Sequence, residues 1–96
     1  MTGAERKALE GAYRREGKHG PARVEVVQRT EGLYLVVPGQ LPPFPLRQVS
    51  RAHFHIEGTA GERLVFELER GAVRRLRLES KAGGPIVTFR PLEKSR

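Results

Sequence analysis

His53 and His55 stand two residues apart, and Glu57 continues the interval. In an extended chain that spacing points two imidazoles and a carboxylate to one side, a donor set suited to zinc or another borderline metal. His19 is an outside candidate for the same set. The intervening Phe54 and Ile56 take the opposite side. If that apolar side faces a core, the histidine row faces water; if the sheet is inverted there, the row lines a cavity. The first arrangement is the expectation, so neither a metal nor a cofactor is assigned.

Arg74, Arg75 and Arg77 form the densest basic cluster, with Arg47, Arg51, Arg63, Arg70 and Arg90 elsewhere. A basic sheet face of this kind binds single-stranded nucleic acid when aromatic platforms accompany it. Here Phe54 and Phe66 fall on the apolar parity and Phe89 reads as core, so the aromatics do not serve. Glu67 and Glu69 lie across a turn from the cluster. They are the minimum for an acid and base pair, but cross-strand ion pairing is the simpler use of both groups. Ser50 precedes His53 by an odd interval, which on an unbroken strand points hydroxyl and imidazole apart and spoils a Ser-His-carboxylate relay. Gly83-Gly84 lacks the Lys-Ser/Thr of a phosphate loop. No catalytic residue is assigned, and the chain is not read as an enzyme.

With no cysteine, thiolate chemistry, disulfides and Cys-ligated zinc are excluded, but no compartment is implied. No apolar run approaches the ~20 residues of a membrane span, and the first residues lack the apolar stretch of a signal peptide. The net charge of +7 attracts polyanions through a screened, non-specific field.

The elements that must position these groups are short and alternating. Leu64, Phe66 and Leu68 share one side of an extended stretch, with Val65, Glu67 and Glu69 on the other. Arg70-Gly71 is a turn, and Leu76 and Leu78 mark the returning strand. Val73 is out of phase with Leu76, so either it packs on the outer face or a bulge near Arg74-Arg75 resets the register. Further strands are expected over 12–15, 22–28, 33–37, 51–57 and 86–90, with a short one over 46–49. Gln40 to Pro45 carries three prolines and is expected to cross an open edge or end of the sheet, with Leu41 and Phe44 plugging the core. Thr2 and Glu5 have capping-box spacing, so one or two helical turns open the chain. The fold class is therefore all-β. A coiled antiparallel meander forms a small barrel or half-barrel over 1–96, ordered over 9–92 with tails at 1–8 and 93–96.

The order of these residues resembles a known family. Gly11-Ala12-Tyr13, Arg23-Val24-Glu25-Val26, Glu31-Gly32-Leu33-Tyr34-Leu35, Leu64-Val65-Phe66 and Arg70-Gly71-Ala72-Val73 follow one another around a Pro-rich link. The pattern is similar to the lipocalin-like all-β domain that follows the catalytic domain in many serine beta-lactamase-like or penicillin-binding-protein-like hydrolases. The family's Asp-Gly-x-Val turn appears with Arg70 in place of the acid, and Ser50-Arg51-Ala52-His53 lacks the lysine of Ser-x-x-Lys. The resemblance implies a non-catalytic accessory domain without the enzyme, one that packs on a catalytic domain or contributes to substrate access and assembly; an exposed patch meeting a catalytic domain or a second copy is the leading expectation. Tyr13, Tyr34, Phe44, Arg74, Arg75 and Arg77 are the candidate ligand or interface residues. Two alternatives stand beside it: a small barrel holding an apolar ligand in a cavity lined by Tyr13, Leu35 and Phe54, and weak nucleic-acid binding through the basic face.

Overall fold

A computed structural model describes residues 7–18, 21–59, 61–80 and 86–92, with the side chains of 40 and 41 excepted. The expected capping box, His19, the 81–85 loop and the C-terminal tail lie outside the described residues.

Eight strands follow in order: β1 (Gly11–Glu16), β2 (Arg23–Arg29), β3 (Gly32–Val37), β4 (Gln40–Ser50), β5 (His53–Ile56), β6 (Glu62–Glu69), β7 (Ala72–Ser80) and β8 (Val87–Pro91). Each pairs antiparallel with the next, and β8 pairs back onto β1 through Tyr13↔Pro91, Arg14↔Arg90, Arg15↔Phe89 and Glu16↔Thr88. The sheet is thus a closed barrel and not a half-open one. Closure removes both edges, which a short meander would otherwise expose.

Alternation sorts the side chains. Val24 and Val26, Leu33 and Leu35, Phe54 and Ile56, Leu64 and Phe66, and Leu76 and Phe89 are buried, and the register sets Val26 opposite Leu35, Phe54 opposite Leu64, and Leu76 opposite both Phe66 and Phe89. The centre is aromatic: the Phe66 ring meets Phe54 edge-on at 5.6 Å between centroids and Tyr13 at 6.3 Å. A helical turn at 7–9 brings Leu9 into the core, where it is fully buried.

Three departures from the sequence reading have physical reasons. The Pro-rich segment is a strand inside the closed sheet, not a crossing over an open end. Its register against β3 shifts by two residues between Leu35↔Phe44 and Val37↔Gln40, so Pro42 and Pro43 fall in a bulge where no ladder N–H is needed. Pro45 takes part through its carbonyl, which accepts the Glu57 N–H at 2.9 Å.

The expected strand over 51–57 begins two residues later. Arg51-Ala52 forms a tight turn between β4 and β5, with Ala52 at φ +64°. The Ala52 carbonyl accepts the Phe66 N–H at 2.8 Å, which ties this left-handed residue to β6.

Val65 points outward, in register with His53 and Arg77, yet is buried. The Arg77 side chain lies beside it with a buried Nε, its aliphatic stem covering apolar surface.

Of the two alternatives for Val73, the bulge is the one adopted. Glu67 pairs with Arg75 and Leu68 with Val73, leaving Arg74 as the extra residue, and Val73 packs against the core.

Candidate functional site

The outer face of the barrel carries the chemistry-bearing side chains. His53 and His55 project from β5 opposite the buried Phe54 and Ile56, as the alternation requires. Glu57 does not join them: its carboxylate accepts the Arg47 Nε–H at 2.7 Å. Among the described residues no group of three or more His, Cys, Asp or Glu side chains converges. Ser50 and His53 are register partners across the Arg51-Ala52 turn, because the strand is broken there. No hydrogen bond joins their side chains.

The basic cluster of β7 is paired. Arg77 lies 3.3 Å from both Glu67 and Glu79, Glu79 also accepts from Arg63 at 3.2 Å, and Arg75 lies 3.2 Å from Glu16. Arg90 meets the same Glu16 at 2.9 Å, and Arg74 reaches Glu69 at 3.6 Å. Arg74, Arg75 and Arg77 are therefore members of an outer ion-pair lattice over β6, β7, β8 and β1. Glu67 and Glu69 are occupied by arginines in the same lattice.

Tyr13 and Phe44 are not on the outer face. Tyr13 is buried, its hydroxyl donates to the Leu9 carbonyl at 2.6 Å, and burial pushes its phenol pKa well above the ordinary range. Phe44 is half-buried, packs against the core and lines one open end of the barrel with Leu35, Val37, Ile56 and Leu78. That mouth encloses about 340 Å³. Of Tyr13, Leu35 and Phe54, the residues expected around an apolar cavity, Leu35 lines this mouth, while Tyr13 and Phe54 both pack on Phe66.

Tyr34 does face outward. It stands in one cross-strand row with Val27 of β2 and Pro45 of β4, with Val36 next along β3. The Arg29 guanidinium lies over its ring at 5.4 Å from the centroid. Only Tyr34 of this row was a candidate by sequence, because Val27 and Pro45 become its neighbours through pairings that residue type does not announce. A second unforeseen row sets His55 between Arg47 and Arg63.

No protein-family model, curated protein or solved structure matches the chain. Among the described residues no helix is long and apolar enough to cross a membrane.

Proposed function

We propose that the chain is a non-catalytic accessory or interaction domain. Its contact surface is the outer face of β2, β3 and β4, and its partner is a catalytic domain of the serine beta-lactamase-like or penicillin-binding-protein-like kind. The observation that carries this reading is the Val27–Tyr34–Pro45 row with Val36 beside it, an apolar strip on the outside of a barrel whose inside is filled by its own aromatic side chains. Glu25, Arg29 and Arg47 rim the strip, the apolar-centre and polar-rim anatomy of protein contacts.

Anisotropy of the fluorescently labelled chain, titrated with such a catalytic domain, tests it. Tyr34→Ser should weaken binding by at least about tenfold, the loss of a central aromatic contact. Equal affinity of parent and variant would remove this face from the interface. Sedimentation equilibrium of the chain alone distinguishes a second copy: self-association lost in Tyr34→Ser would replace the catalytic domain as partner.

The mouth lined by Leu35, Val37, Phe44, Ile56 and Leu78 favours a second reading, a barrel that takes up a small apolar ligand. The Tyr13, Phe54 and Phe66 rings pack together in the interior, so the end of the barrel is the place this reading assigns to the ligand. Nucleic-acid binding is a weaker reading, since Arg74, Arg75 and Arg77 each already face a carboxylate. Oligonucleotide titration at low salt should give no saturable complex.

A further inference from the structure

His55 occupies an unusual register position: Arg47 of β4 stands opposite it on one side and Arg63 of β6 on the other. Two guanidinium side chains thus flank one imidazole on the outer face, from the strands on either side of it. Both arginines are paired with a carboxylate. Arg47 gives its Nε–H to Glu57 at 2.7 Å and Arg63 gives its Nε–H to Glu79 at 3.2 Å. A guanidinium has five N–H donors, so each arginine keeps its Nη groups after that bond. Neither the His53 nor the His55 side chain has a hydrogen-bond or ion-pair partner among the described residues.

These groups surround a concavity. Arg47, His53, His55 and Arg63 line a cleft of about 440 Å³ on the outer face, with Val49 as its exposed apolar side chain. Val49 is extruded by the bulge before the β4–β5 turn and is 65% exposed, although large and aliphatic. The volume is in the range of small-molecule sites. The remaining Nη–H groups of the two arginines and the imidazole N–H groups offer an anion donors from three strands, and a guanidinium fork matches phosphate in particular. We propose that this cleft binds the phosphate group of a small organic phosphate monoester, whose apolar part lies on Val49. The site shares Arg47 with the rim of the β2–β4 contact face but does not rest on that contact.

Phenyl phosphate is the probe. The His53 and His55 ring resonances of the isotope-labelled chain are followed during its addition at constant ionic strength. Saturable shifts are expected, with affinity reduced at least about fivefold in His55→Ala and in Arg63→Gln, and unchanged in Arg74→Ala. If His55→Ala does not fold, Arg63→Gln reports the same loss. Linear shifts matched by chloride, or a Arg63→Gln affinity equal to the parent's, would overturn the site. Inorganic phosphate should bind more weakly than the ester; equal binding would overturn the role of Val49.

Discussion

The Tyr13 hydroxyl donates to the Leu9 carbonyl at 2.6 Å, and both residues are buried. This bond fastens the helical turn at 7–9 to β1 and so sets Leu9 as a plug in the core. Tyr13→Phe leaves that carbonyl without its donor and should cost about 1–2 kcal/mol in urea unfolding. Leu9→Ala should cost about 2–5 kcal/mol, since it empties a packed site. A Tyr13→Phe variant as stable as the parent would show the turn to be held by packing alone. The same bond predicts a pH dependence. An ordinary phenol ionises near about pH 10, whereas burial raises that of Tyr13 well above it. Above that pH the unfolded chain gives up a proton that the folded chain keeps. Stability is then full below about pH 10 and falls as pH rises beyond it, more steeply in the parent than in Tyr13→Phe.

Arg70 and Gly71 both have positive φ, at +54° and +78°, in the two-residue turn between β6 and β7. A turn of this kind matches the twist of the hairpin, but an arginine is strained in it. Asparagine tolerates the left-handed region, so Arg70→Asn should raise stability by about 0.5–1 kcal/mol. Gly71→Ala should lower it by about 1 kcal/mol through backbone strain, as a Cβ there meets no atom within 4 Å. Thermal melts of the two variants on either side of the parent would bear this out.

Glu79 joins Arg63 and Arg77, and its side chain is only 16% exposed. Glu79→Gln should therefore cost about 1 kcal/mol, above the usual range for an open surface pair. Arg74, paired with Glu69 at 3.6 Å with both side chains exposed, is the contrast. Arg74→Ala should change the urea midpoint by less than about 0.5 kcal/mol.

Arg14 of β1 stands opposite Arg23 of β2 and Arg90 of β8, three like charges in one outer row. Arg23 and Arg90 have carboxylates, Glu25 and Glu16, but Arg14 has no ion-pair partner among the described residues. Arg14→Thr should stabilise by about 0.3–0.5 kcal/mol at low salt, by relieving repulsion and adding a β-former. The gain should shrink in high salt as the repulsion is screened.

What was legible in the sequence was local. The alternation of Leu64 and Phe66, or of Leu33, Leu35 and Val37, predicts the strands and their buried side, and Gly71 marks its turn. The out-of-phase Val73 left outer-face packing and a bulge near Arg74-Arg75 both open, and the pairing of β6 with β7 decides for the bulge. Outward-facing histidines followed from Phe54 and Ile56 facing in. What was not legible depends on pairing partners. Pro42 and Pro43 read as breakers because their bulge exists only relative to β3. Ala52 carries no sign in its residue type of a left-handed backbone, so the break before His53 passed unseen. Closure joins Tyr13 to Pro91, and the Arg47–His55–Arg63 and Val27–Tyr34–Pro45 rows each need the register of three strands.

The proposed contact through the outer face is tested most directly by the chain's own valines. Val27 and Val36 face outward on β2 and β3, while Val24 and Val26 of the same sheet face the core. Methyl spectra of the valine-labelled chain should show the Val27 and Val36 resonances shifting as the hydrolase catalytic domain is added, with Val24 and Val26 unmoved. Unchanged Val27 and Val36 methyls at saturating catalytic domain would contradict it.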